Sequence, residues 1–301
     1  MKLLMFAVNG QSKRLGAFQG GRVVDVHALA TTAGASNVPE SVLALIEQGD
    51  SALEEVRELL TRPEAMTDQF SRKLSDVRLF APLDASKSDV LAIGLNYRKH
   101  AEEGARLHGT EVKPPTIFTK AALSVAGPFD DIVADDSITQ KLDWEVELGV
   151  VIGKAGANIK RERAFEHVFG YTIVNDVSAR DIQHGWGGQW YKGKSLDRSS
   201  PSGPWVVTKD EISDPQVLRL TCAVNGVVKQ NANTRDMIYP VDALVEWLSV
   251  GMTLPAGALI ASGTPEGIGN ARTPPEFLRP GDVMETEIEG IGSLRNNIVA
   301  P

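Results

Sequence analysis

Short runs in which hydrophobic and polar residues alternate cover most of the chain, and this pattern predicts a β-rich fold. In the first sixty residues the runs KLLMFAV, RLGAFQ and GRVVDVH are separated by glycine and polar turns, as expected for strands. The following segment, SVLALIEQGDSALEEVRELL, has apolar residues at helical spacing and an interruption near Gly49. We therefore predict a small α/β N-terminal domain at residues 1–75.

The pattern weakens between Thr61 and Asp84, where Pro63 and Pro82 interrupt it, and we place a domain boundary there. Short apolar or alternating runs then follow to the end of the chain, among them VLAIGLNY, LDWEVELGVVIG, GYTIVNDVS, GPWVVT and LRLTCAVNG. Helical spacing is clear only in RERAFEHVFG and PVDALVEWLSV, so the regular strand and helix alternation of a doubly wound sheet is missing. The prediction is an α+β, β-rich domain at residues 76–301.

Composition excludes several classes of protein. The formal net charge of -8 argues against a nucleic-acid surface, which needs clustered Lys and Arg. No segment approaches the roughly 18 uncharged apolar residues of a membrane span. The apolar run after Lys2 is too short for a secretory signal, which favours the cytoplasm. Cys222 is the single cysteine of the chain, so neither an internal disulfide nor a zinc cluster is available.

The segment GQWYKGKS, from Gly188 to Ser195, matches the letters of a nucleotide-binding P-loop. A working P-loop lies between a buried strand and a helix. Here DIQHGWGG precedes the motif and is not an apolar strand, while Pro201 and Pro204 prevent a helix after it. The context therefore disfavours nucleotide binding and leaves Lys194 as a lone cation that needs another function.

Acidic residues on two adjacent predicted strands indicate a metal site. In LDWEVELGVVIG, alternation places Asp143, Glu145 and Glu147 on one face of a strand. A solvent-facing strand is the alternative, but the segment continues into GVVIG, which is apolar enough for burial on both faces. The next strand, GYTIVND, ends at Asp176. Glu145, Glu147 and Asp176 together predict an open oxygen site for Mg²⁺, with Asp143 beside it.

Three further signals lie near this predicted site. His100 follows the strand VLAIGLNY and precedes Glu103 by three residues, so one helical turn would place imidazole and carboxylate side by side. Such a pair forms a base that deprotonates water. Arg180 and Gln183 follow Asp176 within a predicted helical turn, where they could bind a carboxylate. The other histidines carry no local signal.

Four motifs in this order resemble the fumarylacetoacetate hydrolase family: GLNYRKHAEE, DWEVELGVVIG, NDVSARDIQ and KGKSLDRSSPSGPWVV. The resemblance covers roughly residues 80–298. It implies a mixed β-roll in the C-terminal domain, a homodimer, Mg²⁺ or Mn²⁺ as cofactor and a small anionic 2-oxo acid as substrate. It also assigns residues to the metal (Glu145, Glu147, Asp176), to catalysis (His100, Glu103, Lys194) and to substrate binding (Arg180, Gln183, Thr264, Tyr97).

One departure from the family narrows the expected substrate. Members that cleave fumarylacetoacetate have an additional Asp ligand shortly before the His, whereas LAIGLNY contains no acid. The chain therefore resembles the subgroup with three carboxylates. We expect hydrolysis of a carbon–carbon bond in a 2,4-dioxo acid such as an acylpyruvate, through a metal-stabilised enolate. The alternative is a decarboxylase or isomerase of a 2-oxo dicarboxylic acid that resembles oxaloacetate or 2-hydroxyhepta-2,4-diene-1,7-dioate. A non-catalytic binding protein is disfavoured because every expected polar position is filled.

Overall fold

The computed structural model describes residues 1–8, 10–83, 88–108 and 114–301, and only the backbone of residues 104–108. Asp84, at one end of the predicted domain boundary, lies outside the described residues. The strands in chain order are β1 (Lys2–Ala7), β2 (Arg14–Gln19), β3 (Arg22–Asp25), β4 (Ser71–Lys73), β5 (Arg78–Phe80), β6 (Val90–Gly94), β7 (Thr116–Lys120), β8 (Val125–Ala126), β9 (Ile132–Val133), β10 (Leu142–Asp143), β11 (Val146–Ile152), β12 (Val168–Asn175), β13 (Ser178–Ala179), β14 (Ser200–Thr208), β15 (Arg219–Val224), β16 (Val227–Asn233), β17 (Leu259–Ala261), β18 (Val283–Ile288) and β19 (Gly292–Val299).

Helices are short and lie between these strands. They are α1 (Val26–Ala33), α2 (Val42–Gln48), α3 (Asp50–Thr61), α4 (Arg98–His108), α5 (Ala164–His167), α6 (Arg180–Gly185), α7 (Tyr191–Lys194) and α8 (Val241–Ser249). The predicted interruption at Gly49 is present, because this residue has φ +81° and separates α2 from α3. The sequence pattern missed α1, which follows β3 directly and is capped by the Asp25 carboxylate accepting from the Ala28 N–H.

A large mixed sheet organises the molecule. Among the described residues it contains twelve strands in the order β4-β3-β2-β1-β14-β12-β11-β17-β6-β7, with β5 beside β1 and β8 beside β14. A second sheet has five strands in the order β16-β15-β18-β19-β9, and β10 pairs with β13. Because β1 pairs with both β2 and β14, strands of the N-terminal segment and of the remaining chain belong to one sheet.

The hydrophobic core lies on both faces of the large sheet. On one face Leu3 and Met5 pack with residues of α2 and α3, such as Leu45 and Val56. The intervening side chains of β1, Leu4 and Phe6, belong to a second cluster that includes residues of the five-stranded sheet. Alternation along a strand thus supplies both layers, as expected for strands buried on both faces. Helices α1–α3 therefore cover one side of the large sheet, and the smaller sheet together with α5 and α8 packs against the other.

Candidate metal centre and active site

Three buried carboxylates meet where β11 begins and β12 ends. Glu145 directly precedes β11, Glu147 lies within it, and Asp176 directly follows β12. The two strands are antiparallel with Val146 opposite Asn175, and the Asp176 N–H donates to the Glu145 carbonyl at 2.9 Å. One carboxylate oxygen from each of the three residues lies within 4.8 Å of the others. The structure therefore brings together the three carboxylates predicted as metal ligands.

Backbone and amide groups fix this cluster in place. The Glu145 N–H donates to Asn175 Oδ1 at 3.0 Å, and Asn175 Nδ2 donates to Thr286 Oγ1 of the five-stranded sheet at 3.0 Å. The Gly263 N–H donates to Glu147 Oε2 at 2.8 Å. The first two hydrogen bonds fix the backbone at Glu145, and the third restricts the orientation of the buried Glu147 carboxylate. Both sheets thereby contribute to the geometry of the site.

Asp143 is not part of the carboxylate cluster. The expected continuous strand is interrupted at Trp144 and Glu145, between β10 and β11. The Asp143 carboxylate accepts from the Gly269 N–H at 2.7 Å and forms an ion pair with Arg180 at 2.8 Å. Its position beside the site, as an anchor for Arg180, agrees with the sequence prediction.

Three buried cations surround the carboxylates. Lys194 Nζ donates to Glu145 Oε2 and Asp176 Oδ2, each at 2.7 Å. Lys120 Nζ donates to Asp176 Oδ1 at 2.5 Å and to the Val177 carbonyl at 3.1 Å. Arg180 Nη2 lies 2.6 Å from Glu145 Oε1. Lys194 is therefore not a lone cation, and Lys120 is a residue of the site that sequence reasoning missed.

The signal for Lys120 in the sequence is weak. It ends the apolar strand TIFTK at the edge of the large sheet, and its side chain is 0% exposed. A lysine that closes an apolar strand is compatible with a buried ion pair, but the partner 56 residues away is visible only in the fold. Burial lowers the pKa of Lys120, against the opposing effect of the Asp176 charge.

The pKa values of Glu145 and Glu147 are shifted in opposite directions by their surroundings. Burial, followed by the charges of Asp176 and Glu145, raises the pKa of Glu147 well above its usual value. Burial acts in the same direction on Glu145, but the cations Lys194 and Arg180 outweigh it and lower the pKa of that carboxyl. Among the described residues no cationic side chain hydrogen-bonds to Glu147.

A divalent cation fits this donor set. Glu145, Glu147 and Asp176 supply the clustered oxygens. Counted together with the neighbouring Asp143, the four carboxylates exceed the three cations Lys120, Lys194 and Arg180 by one negative charge when all are ionised. Carboxylate oxygens are the ligands that Mg²⁺ and Mn²⁺ prefer. A metal ion beside Glu147 would favour its ionised form, which burial alone disfavours.

His100 and Glu103 face the carboxylate cluster from α4. His100 Nδ1 lies 3.4 Å from Glu103 Oε2, one helical turn along. Both residues, together with Glu145 and Glu147, line a cavity of about 250 Å³. The predicted imidazole and carboxylate pair is therefore adjacent to the metal site and opens into the same space.

Of the four residues predicted to bind substrate, three line the cavity and one lies in the protein interior. Arg180, Gln183 and Thr264 line the cavity. Gln183 Oε1 accepts from Arg180 Nη1 at 3.0 Å, and Thr264 Oγ1 donates to the Val146 carbonyl at 3.0 Å. Tyr97 is completely buried, and its hydroxyl has no hydrogen-bond partner within the described chain. The structure thus places Tyr97 in the interior and the other three on the cavity wall.

The P-loop letters have a different structural explanation. Lys194 ends α7, a helix of four residues, and β14 begins at Ser200 without an intervening helix. Ser195 Oγ accepts from the Ala121 N–H at 2.9 Å. A Cβ at Gly193 would lie 2.3 Å from the backbone nitrogen of Gln183, so this glycine allows α6 and α7 to approach closely. The motif therefore positions Lys194 for the carboxylates.

A sequence profile described as fumarylacetoacetate (FAA) hydrolase C-terminal matches residues 89–299, which is more than half of the chain. The chain belongs to the fumarylacetoacetate hydrolase family. The oxaloacetate tautomerase YisK of Bacillus subtilis is 42% identical over 267 residues, and the match covers 87% of each chain. The mitochondrial oxaloacetate tautomerase FAHD2A of Bos taurus is 39% identical, over 99% of this chain and 92% of its own.

Solved structures support the same assignment. A fumarylacetoacetate hydrolase from the psychrophilic Exiguobacterium antarcticum has a TM-score of 0.82 and 38% identity, with complete coverage of both chains. The predicted β-rich α+β fold of the family is thereby confirmed, and the relatives establish the chain as an enzyme of this family. No helix within the described residues has the length and apolar character to cross a membrane.

Proposed function

We propose that this enzyme is a metal-dependent tautomerase that interconverts the keto and enol forms of oxaloacetate or a close 2-oxo dicarboxylic acid. The observation that carries the proposal is the triad of Glu145, Glu147 and Asp176, of which Glu145 and Glu147 line one small cavity together with His100. Two similar proteins named as oxaloacetate tautomerases support this choice of substrate. These comparisons favour the isomerase alternative over the hydrolysis of an acylpyruvate, which the sequence alone put first.

Glu145, Glu147 and Asp176 would hold Mg²⁺ or Mn²⁺. When bound, the metal would act as a Lewis acid that polarises the 2-oxo group of the substrate. With a divalent ion bound, the four carboxylates and three cations of the site would carry a net charge of +1, with Arg180 and Lys194 on the cavity wall, which favours an anionic substrate over a neutral one. The amide of Gln183, held by Arg180, orients a substrate oxygen next to these charges.

His100 is the proposed acid and base. With a proton on Nδ1 facing Glu103, the free Nε2 atom removes a proton from carbon 3 of the keto form. The electron pair moves into the bond between carbons 2 and 3, and the same imidazole returns the proton to the oxygen on carbon 2. One proton changes place, no carbon–carbon bond breaks and no water is consumed. Tautomerisation therefore uses His100 and Glu103, the same two residues that hydrolysis would need for the activation of water.

The test is to dissolve the enol form of oxaloacetate and follow the loss of its ultraviolet absorbance with Mg²⁺ or with excess chelator. The enzyme should accelerate the loss only with the metal. His100→Gln should reduce the rate by about 10²–10⁴-fold, the usual contribution of a general acid and base. His27→Gln, on the distant helix α1, is the matched control and should retain the rate.

Two outcomes would replace this proposal. Release of pyruvate from acylpyruvates, without acceleration of enol loss, would restore carbon–carbon hydrolysis as the activity. Release of carbon dioxide and pyruvate from oxaloacetate would assign decarboxylation. The assay therefore follows enol absorbance and pyruvate in the same samples, so that each activity has its own readout.

Homodimer formation and a cytoplasmic location stay predictions from the sequence and its resemblance. Size-exclusion chromatography with light scattering measures the first, since a dimer has twice the mass of the 301-residue chain. Fractionation of cells that express the full protein measures the second. Neither property enters the chemical argument above.

A further inference from the structure

One wall of the active-site cavity is aromatic. Phe118 and Trp190 both line it, with ring centroids 5.2 Å apart and planes at 65°, an edge-to-face contact. Trp190 also packs over the end of β6, where a Cβ at Gly94 would lie only 2.6 Å from Trp190 Cζ3. The indole can occupy this position because residue 94 has no side chain. The close packing of the Trp190 indole against the end of β6 therefore requires glycine at position 94.

The aromatic wall begins at the charged end of the cavity. Lys194 Nζ, which donates to Glu145 and Asp176, lies 5.1 Å from the centroid of the Phe118 ring. We place the far end of a substrate whose 2-oxo acid end lies at the carboxylate cluster along Phe118 towards Trp190, because these two rings continue the cavity wall from Lys194. The far end of the substrate therefore contacts the indole of Trp190, which is separated from Lys194 by the Phe118 ring.

The space available is small. The cavity volume of about 250 Å³ lies below the ~300–1,000 Å³ of sites for drug-sized ligands. A four-carbon 2-oxo diacid is compatible with such a volume, whereas each further carbon must find room beside the indole. Trp190 thus limits the length of the cavity at the end that is far from the carboxylate cluster, where a longer substrate would place its additional carbons.

We propose that Trp190 is a specificity-determining residue that limits the length of the 2-oxo acid the enzyme accepts. This inference rests on the proposed function, because it assumes that the 2-oxo acid end binds at Glu145, Glu147 and Asp176. Phe118 and Gly94 hold the indole in place from two sides. Shortening the Trp190 side chain opens space next to the substrate without changing any of the three carboxylates.

The test compares the wild type, Trp190→Ala and a control, Trp186→Ala. Trp186 is 58% exposed and lies outside the described lining of the cavity. For each protein kcat/KM is measured with Mg²⁺ on oxaloacetate and on a seven-carbon 2-oxo diacid. Trp190→Ala should shift the ratio towards the longer substrate by about tenfold or more, because one methylene in an apolar pocket already discriminates about 10–200-fold. Trp186→Ala should keep the wild-type ratio.

Trp190→Leu keeps apolar volume and carries the test if the alanine variant does not fold, as checked by circular dichroism and by stabilisation with Mg²⁺. An unchanged ratio in a folded variant overturns the proposal, and so does an equal loss on both substrates, which marks a purely structural residue. If the wild type has hydrolase activity and no tautomerase activity, the proposed function fails. The length limit is then tested on acylpyruvates of increasing length, with the same expected shift.

Discussion

Replacing Glu147 by Gln should stabilise the metal-free protein and remove its response to metal. The carboxylate is 1% exposed and has oxygens of Glu145 and Asp176 within 4.8 Å. At an effective dielectric constant of about 20, each such repulsion amounts to roughly 3–4 kcal/mol. Attraction by Lys194 offsets part of this energy. Glutamine removes the charge and keeps an oxygen for the Gly263 N–H.

The pH dependence of stability follows from the direction of the Glu147 pKa shift. Folding raises the pKa of Glu147 above its ordinary value of 4.5, because burial and two like charges disfavour ionisation. Below pH 4.5 the carboxyl is protonated in the folded and the unfolded state, so it does not destabilise the fold. As the pH rises through and above 4.5, the carboxyl ionises in the unfolded state first, and the folded state becomes less stable relative to it. The destabilisation at about pH 7 has an upper limit of roughly 3.4 kcal/mol, because a carboxyl that stays protonated in the folded state costs about 1.36 kcal/mol for each pH unit above 4.5. We expect a gain of about 1–3 kcal/mol for Glu147→Gln.

The assay is urea unfolding followed by tryptophan fluorescence, in chelator, at about pH 5 and about pH 8. The gain should be larger at the higher pH. Glu58→Gln, an exposed glutamate on α3, is the control and should change stability by less than about 0.5 kcal/mol. Mg²⁺ at a hundredfold excess over Kd should stabilise the wild type by about 2.7 kcal/mol and the Glu147 variant much less. A variant less stable than the wild type in chelator, or equally stabilised by Mg²⁺, would refute the reasoning.

Three further predictions concern other buried groups. Lys120→Met should cost about 3 kcal/mol in urea unfolding, since it raises the uncompensated negative charge of the buried site from one to two when all groups are ionised, although Asp176 keeps Lys194; a change below about 1 kcal/mol would contradict this role. Gly193→Ala should lower the free energy of unfolding by several kcal/mol because its Cβ meets α6 backbone at 2.3 Å, whereas Gly185→Ala, with open space around it, should not. Burial raises the pKa of Cys222 to about 12, so an aromatic disulfide reagent should label it only after unfolding in urea; rapid labelling of the native protein would show an exposed thiolate.

The cluster of three carboxylates could be predicted from sequence because each member follows from a local rule. Period-two alternation identifies Glu145 and Glu147 as residues of one strand face, and Asp176 ends the next apolar strand. Antiparallel pairing of consecutive strands then brings these positions together. His100 and Glu103 likewise need only one helical turn. Local spacing is therefore sufficient for residues that are close in sequence or lie at the ends of neighbouring strands.

Residues that depend on long-range contacts could not be predicted in this way. Lys120 ends β7, which is four strands away from β12 in the order of the large sheet, so its contact with Asp176 depends on the three-dimensional path of the whole sheet. Tyr97 was assigned to the substrate through its motif, but a bridge to Met237 accompanies its complete burial. The aromatic wall formed by Phe118 and Trp190 joins residues from β7 and from the P-loop-like segment. Nothing in the local pattern of either segment indicates the other.

The position of β1 inside the large sheet has a practical consequence for anyone who divides the chain. A fragment that starts at residue 76 lacks β1 and leaves the backbone of β14 at Val206 and Val207 without its partners Lys2 and Leu3. An apolar strand with an open edge pairs readily with other copies and aggregates. The catalytic region should therefore be expressed with its N-terminal strands, as a single unit of folding.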